Sequence, residues 1–500
     1  MRKGDGLDNP DSFASSRQHF ETVLSFLDGD EALGLEHGML EEHLEHDSRE
    51  LYRRLFQDHL SLRAQHEERI ESVVDAAGTP RGSVETGHQR SLATVFGQVT
   101  VERLAYRRRG EENLHPADAS LNLPKEEHSH GLRRWSAVEA SRGSFDEAQG
   151  AIERATGQHV GKRQVESLVK LAATDVGTFY AERSGPRCEP GDVLVLSVDG
   201  KGIVMRPEAL RQATRKASQA CSPKLASRLS GGEKHGRKRI AELGTVYDVA
   251  PVPRRATDIL AAHGEEPVKG PVAKNKWLTA SVVEDAAEVI TTVFDEAERR
   301  DEAHLRTWVA LVDGNKHQID RTEAEARERK VDVTIVIDLV HVLEYLWTAA
   351  WCFFDQGDPA AEAWVRTRAL AVLDGGARDV AAGVRRRATS DGLKTQARKG
   401  ADACATYLTN KAPYLDYPRA LAEGWPIATG IIEGACRHIV KDRMDLTGAR
   451  WGLDGAEAVL KLRVVRSNGD FSDYWRFHLS QEYERVHRSR YAHNVIPMAA

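Results

Sequence analysis

VLVLSVDGKGIVM, residues Val193 to Met205, opens with six residues that are almost all apolar and partly β-branched, meets Asp199, and breaks at Gly200-Lys201-Gly202. A short apolar run bounded by glycines reads as a strand buried on both faces. A carboxylate at the exit of such a strand sits on a rigid support that a metal or substrate site can use. The alternative is an ordinary Asp-Gly turn. The pattern recurs twice. Trp308–Asp313 reads WVALVD and stops at Gly314-Asn315, and Val333–Asp338 reads VTIVID and continues to His341. Such a set predicts carboxylates gathered at one edge of a sheet. Grouped carboxylates repel one another unless a cation sits among them. Hard divalent cations with oxygen ligands, Mg²⁺ above all, suit such a group.

The chain of 500 residues is too long for one simple core and predicts two to four domains. Its 41% hydrophobic and 29% charged residues and mean hydropathy of -0.49 are those of a globular protein in water. No apolar run is long enough to cross a membrane, and MRKGDGLDNP lacks the apolar segment of a signal peptide. Cys188, Cys221, Cys352, Cys404 and Cys436 are scattered with no CxxC pair, which argues against a disulfide framework or zinc knuckle and fits a reducing cytoplasm. The net charge of -6 does not announce a nucleic-acid partner. Such a partner requires local basic patches.

Residues 1–14 read as disordered, and about Ser15 to Arg69 as helical. Leu44, Leu51, Leu55 and Leu62 form one stripe, expected to pack on a neighbouring helix of the same chain, with a dimeric coiled coil as the alternative. Residues 76–90 read as a linker, and Ser91–Arg109 as a hairpin ending in the basic cluster Arg107–Arg109. Ser144-Phe145-Asp146-Glu147 is a capping box that starts a helix running to Thr156. After Gly157 a second helix begins near Lys162-Arg163-Gln164. A helical pair with these side chains in its second first turn predicts a helix-turn-helix facing phosphates and base edges. Arg211–Arg239 is dense in Lys and Arg, including Lys234, Arg237, Lys238 and Arg239, and reads as a phosphate-binding arm. A strand is expected near 243–249 and a helix over 282–299. Leu343–Gly424 reads as a helical insert with Trp347, Trp351 and Trp364 in its core. In PIATGIIEGACRHIVKDRMDLTGARW, Glu433, Arg437 and Lys441 share a helical face at i, i+4 and i+8. That face is either an exposed salt-bridged one or a functional one, with Glu433 on metal and the two cations on a DNA backbone.

The DGKG strand, WVALVDGNKHQI, IDLVHVLEYLW and ATGIIEGACRHIVKDRMDLTGARW together resemble an ISKra-type insertion-sequence transposase of the DDE class, which is related to Mutator-like transposases. The likeness extends upstream through SLATVFGQVTVERLAYR and PADASLNLP and spans about residues 90 to 480. It implies an α/β chain: a ribonuclease-H-like catalytic domain with a helical insertion, preceded by a mostly helical DNA-binding region with a helix-turn-helix. The implied division is 1–90, 91–190 (hairpin and helix-turn-helix), 191–342 (catalytic core), 343–424 (insert), 425–480 (end of the core) and a tail over 481–500.

The resemblance further implies an Asp-Asp-Glu triad holding two Mg²⁺ or Mn²⁺ ions. Asp199 matches the first acid and Glu433 the third. Asp313 is preferred as the second, with residues 322–330 as the following short helix and Asp338 with His341 as an accessory pair. Asp338 is the alternative second acid. The intervals are 313 − 199 = 114 and 433 − 313 = 120. The implied reaction is metal-dependent cleavage at transposon ends followed by joining of the freed 3′-hydroxyl to target DNA. The implied partners are double-stranded DNA, as terminal inverted repeats and target, and a second or further copy of the chain. A metal-dependent nuclease on the same fold and a non-enzymatic helix-turn-helix protein are the alternatives.

Overall fold

The computed structural model describes residues 11–186, 188–220, 237–260, 268–446 and 448–498. They fall into two units, residues 1–181 with 470–500, and residues 182–469. Among the described residues no helix is long and apolar enough to cross a membrane. The described cysteines, Cys188, Cys352, Cys404 and Cys436, are all free thiols. Most of the disorder expected over residues 1–14 lies outside the described residues, as do Cys221, Lys224, Arg228 and Lys234.

The first unit begins with α1 (Ala14–Leu27), α2 (Asp30–Leu33) and α3 (His37–Gln65). An antiparallel hairpin follows, β1 (Ser83–Thr94) with β2 (Gly97–Arg107). The linker expected over residues 76–90 is therefore corrected: from Ser83 it is strand. SVETGHQR carries polar residues on both faces and bulges between Glu85 and His88, so it lacks the alternation that marks a half-buried strand. Leu60 of α3 and Leu92, Val99 and Val101 of the hairpin make a small core. α4 (Pro116–Ser120), α5 (His130–Arg142), α6 (Phe145–Thr156), α7 (Lys162–Ala172) and α8 (Val176–Glu182) complete the N-terminal part.

α6 and α7 are the expected helical pair. The Ser144 hydroxyl accepts from Glu147 N at 3.1 Å, and Glu147 Oε2 accepts from Ser144 N at 2.6 Å. Gly157 ends α6 at φ 67°, where a side chain would be strained.

The second unit is built on a five-stranded sheet of β3 (Val193–Val204), β4 (Lys238–Val249), β5 (Ala273–Ser281), β6 (Trp308–Val312) and β7 (Val333–Ile337), in the order β5-β4-β3-β6-β7. The first three strands are antiparallel, and β6 and β7 run parallel to β3. β3 is buried from Val193 to Val198, as a strand covered on both faces must be. α9 (Gln212–Ala220) follows it, and α10 (Ala256–Ile259) precedes β5. α11 (Ala286–Arg300), started by an Asp285–Glu288 capping box, leads to β6. α12 (Lys316–Arg329) joins β6 to β7.

α13 (Leu339–Ala350), α14 (Pro359–Leu373), α15 (Ala377–Ser390), α16 (Lys399–Lys411) and α17 (Tyr417–Ala422) form the helical insert. Its core is continuous with that of the sheet, from Val309 and Ile337 through Leu346 to Leu408. Trp364 is core at 6% exposure, as expected. Trp351 is not: it is 42% exposed and stacks on Trp347 at 5.1 Å between ring centroids. It is the C-cap residue of α13, at the helix's end. α18 (Gly430–Ala435) follows, then a π-turn (Cys436–Lys441), α19 (Asp442–Met444) and α20 (Leu453–Ser467).

α21 (Phe471–Val486) belongs to the first unit. Residues 470–480, expected in the last part of the catalytic core, are therefore placed there. α21 is fastened by charge. Arg133, fully buried on α5, donates to Glu482 at 3.0 Å and Glu126 at 2.7 Å. Asp175 accepts from His478 at 2.6 Å and Arg485 at 2.8 Å. These contacts hold the Asp175 carboxyl down at about 2 against its burial.

Candidate active site

The register of the sheet sets the site. Ser197 of β3 pairs with Leu311 of β6, and Val312 of β6 with Ile337 of β7. Two residues beyond the first pair are Asp199 and Asp313, and one beyond the second are Asp313 and Asp338. The three acids therefore stand level across three adjacent strands, which are spaced about 4.8 Å apart. β6 and β7 end just before their aspartates, so each carboxylate starts the loop or helix that follows. Asp313 Oδ1 accepts from Asn315 N at 2.6 Å, and Asn315 caps α12. Asp338 is the N-cap of α13 and accepts from Val340 N at 2.9 Å. Gly314 makes the turn at φ 91°, where a Cβ would come to 2.8 Å from the Tyr407 hydroxyl, which donates to the Asp313 carbonyl at 3.2 Å.

α18 brings the fourth acid. The Thr429 hydroxyl, immediately before α18, contacts both Asp338 Oδ2 and, at 3.2 Å, Glu433 Oε1. It carries one proton and so donates to one of the two at a time. Asp338, His341 and Glu433 each offer a ligand atom within 4.8 Å of the others and could hold a metal ion. Asp338 is wholly buried, His341 half-buried and Glu433 exposed, so the group opens toward solvent on the helix side. His341 Nδ1 contacts Glu344 at 3.1 Å, which orients the ring as a carboxylate behind a ligating histidine does. Carboxylates with one imidazole suit a divalent cation such as Mn²⁺ or Mg²⁺. Asp199 and Asp313 lie outside this group.

Asp199 is held separately. Its Oδ1 accepts from Gly200 N at 2.6 Å, and its Oδ2 from the buried Cys436 thiol at 3.3 Å. Burial, then the Asp199 charge, pushes the Cys436 thiol well above the ordinary range, so it stays a donor. Cys436 follows Glu433 by one helical turn and opens the π-turn, whose i→i+5 bonding recurs at functional sites. Arg463 of α20 donates to the Ile439 carbonyl at 2.7 Å and to the His438 carbonyl, satisfying groups that the π-turn displaces.

Two features were not read from the sequence. Thr429 and Cys436 lie in the quoted ATGIIEGACRH stretch but have no role legible there, since only the folded helix aims them at acids. Glu242 of β4 lies opposite Gly200, and its carboxylate comes to 2.9 Å from where a Gly200 Cβ would stand. Burial, then the charge of Asp199, raises it to about 7. A single Glu in an apolar strand resembles a surface position, which is why it escaped notice.

The expected DNA-facing cations divide. Arg437 and Lys441 are exposed, and among the described residues no ion pair ties either to Glu433, so the salt-bridged alternative for this face does not form. Lys238 pairs with Asp445 at 3.6 Å. Arg239 donates to the carbonyls of Val282 at 2.5 Å, Ala209 at 3.3 Å and Val283 at 3.1 Å, so it serves the fold. In the first unit, Lys162 pairs with Asp146 at 2.5 Å, Gln164 accepts from Gly161 N at 2.9 Å as a cap, and Arg163 is exposed.

No protein-family model matches the chain, and no curated protein matches it. Among solved structures it is similar to the Drosophila P element transposase strand transfer complex, at 8% identity over 69% of this chain and 79% of that chain, with a TM-score of 0.22. A likeness that distant carries no weight for fold or chemistry.

Proposed function

We propose that the chain is a DDE-type DNA transposase. Its second unit is a ribonuclease-H-like catalytic domain with a helical insert, and its first unit carries a DNA-binding helix-turn-helix in α6 and α7. The observation that supports this most is the level row Asp199–Asp313–Asp338 with Glu433 facing it, four carboxylates to which no Lys or Arg is bridged among the described residues. Such a row is unstable without cations and therefore built for them. The triad is Asp199, Asp313 and Glu433, with Asp338 and His341 beside it.

The donor set fits divalent cations. Asp338, His341 and Glu433 would hold one. Asp199 and Asp313, level and adjacent, are the donors left for a second. Bound there, Mg²⁺ or Mn²⁺ supplies Lewis acidity at a phosphate and a hydroxide nucleophile at neutral pH. The protein's own groups do the rest. The Thr429 hydroxyl stands between the Asp338 and Glu433 carboxylates and donates to one of them at a time. The Cys436 thiol and Gly200 N fix Asp199, and Glu344 aims His341. Arg437 and Lys441, one and two turns beyond Glu433, bind the DNA phosphates on either side of the scissile one. Arg163 reaches the duplex from α7.

The test is a Mg²⁺-dependent cleavage and joining assay on labelled duplexes carrying the ends of the element that flanks the gene. The wild type is expected to cut and to join the freed 3′-hydroxyl to a second duplex. Asp199→Ala and Asp313→Asn are expected to do neither while still binding the ends. Cutting without joining would make the chain a nuclease. Activity retained in Asp313→Asn but lost in Asp338→Asn would move the second acid to Asp338.

A further inference from the structure

The helical insert reaches back to the strand exits through two phenols. Tyr417 of α17 is wholly buried and donates to the Ile337 carbonyl of β7 at 2.9 Å. Tyr407 of α16 is half-buried and donates to the Asp313 carbonyl at 3.2 Å. The two jobs differ. Ile337 is the last residue of its strand and lies in the core, where its carbonyl needs a donor for the fold alone. Asp313 lies one residue past β6, and its carbonyl belongs to the turn that aims its carboxylate.

That turn is built against the phenol. Gly314 stands at φ 91°, and a Cβ there would come to 3.3 Å from the Tyr407 ring and closer still to its hydroxyl. The amide after it, Asn315 N, donates to Asp313 Oδ1 at 2.6 Å. Carbonyl, glycine and carboxylate thus form one small unit resting on Tyr407. Burial, then the neighbouring Tyr345 and Asp313, pushes the phenol well above its ordinary range, so it stays a donor. The ring is fixed from its other side. It stacks on Tyr345 of α13 at 3.9 Å between centroids and 17° between planes. Tyr345 stands one helical turn beyond His341 on the helix that Asp338 caps. α16 lies close against α13, for a Cβ at Gly400 would collide with the Thr348 carbonyl. Tyr407 therefore touches both halves of the acid group, the turn of Asp313 through its hydroxyl and the helix of Asp338 and His341 through its ring.

We infer that Tyr407 is a positioning residue, which fixes the Asp313 carboxylate relative to the group of Asp338, His341 and Glu433. The inference rests on the catalytic reading above and extends it to the insert, which braces the site as well as covering the sheet. Tyr407 acts through Asp313, as a group behind a metal-binding carboxylate does.

The test compares Tyr407→Phe, which keeps the stacked ring and removes the hydroxyl, with Tyr414→Phe, which removes a phenol of the same insert from Glu323. The first readout is amide exchange over residues 312–318 of the metal-free full-length chain. Tyr407→Phe is expected to speed exchange there severalfold, because Asn315 N is held by Asp313, and to leave α13 and α16 unchanged. The second readout is the Mn²⁺ concentration for half-maximal cleavage of an end duplex. It is expected to rise about tenfold, with duplex binding unchanged and the wild-type rate regained at high Mn²⁺. Tyr414→Phe is expected to match the wild type in both. Unchanged exchange and unchanged Mn²⁺ demand in Tyr407→Phe would overturn the assignment. So would faster exchange spread over α13 and α16 with the Mn²⁺ demand unchanged, which marks a contact that serves the fold alone. A wild type that does not cleave would count against the catalytic reading instead, and the metal-free exchange would then decide whether Tyr407 holds Asp313.

Discussion

The two ends of the parallel set β3, β6 and β7 treat acidic residues in opposite ways. At its start, opposite Leu194, Asp248 is wholly buried and bridged by Arg306 at 2.6 Å and Arg300 at 3.5 Å, with Asn275 donating at 3.0 Å. Arg300 also pairs with Glu296 at 2.8 Å. At its exit, about 17 Å further along, Asp199, Asp313, Asp338 and Glu433 receive a thiol, the Thr429 hydroxyl and backbone N–H groups, and no guanidinium bridges them among the described residues. Buried acids that serve the fold are neutralised by the fold. Acids left with neutral donors keep their charge available for a cation from outside.

The largest effects that can break this contrast come from exchanging one acid at each end. Asp199→Asn or Glu433→Gln is expected to lower Mg²⁺-dependent cleavage by at least ~10³-fold, with thermal stability unchanged or slightly raised because like-charge repulsion is relieved. Asp248→Asn is expected to do the reverse. It should cost roughly 3–5 kcal/mol, since two buried arginines lose their partner, with cleavage per folded molecule unchanged. Urea titration beside the cleavage assay separates the two outcomes. Equal loss of stability at both ends would erase the distinction.

Glu242 sharpens it. Its folded carboxyl titrates near 7 because burial and the Asp199 charge disfavour the anion. A raised acid contributes stability that is complete below its unfolded value and lost as pH climbs through the folded one. Wild-type stability should therefore fall between about pH 4.5 and 7 on this account. Glu242→Gln is expected to be neutral at pH 4 and to stabilise by about 2 kcal/mol at pH 8, read as a difference between two melting curves. The smallest effect belongs to Cys436→Ala. Loss of the thiol that fixes Asp199 should cut cleavage about tenfold and leave DNA binding intact.

The contrast also explains what could be read from residue order alone. β3, β6 and β7 are legible because a parallel strand covered on both faces must be a continuous apolar run; β6 and β7 end at an aspartate, whereas β3 runs on past Asp199 and the expected glycine break to Val204. Their level register is not legible, since pairing between Ser197 and Leu311 is set by packing 114 residues away. The same holds for the Arg300–Asp248–Arg306 clamp, whose members look like scattered surface charges in the chain. Glu433 is legible on an amphipathic helix. The π-turn after it is not, because it depends on Arg463 reaching carbonyls from α20. The first part of β1, residues 83–90, was missed because both of its faces are polar. α21 was divided wrongly because Glu482 and Arg485 find Arg133 and Asp175 only in the folded first unit.

Calorimetric titration of Mn²⁺ into the metal-free full-length chain tests most directly whether the exit end of the sheet is reserved for a cation. The account predicts saturable binding to the wild type, lost in Asp338→Asn/Glu433→Gln, reduced in His341→Ala and undiminished in Asp248→Asn. Binding of equal strength in the wild type and the Asp338→Asn/Glu433→Gln chain would contradict it.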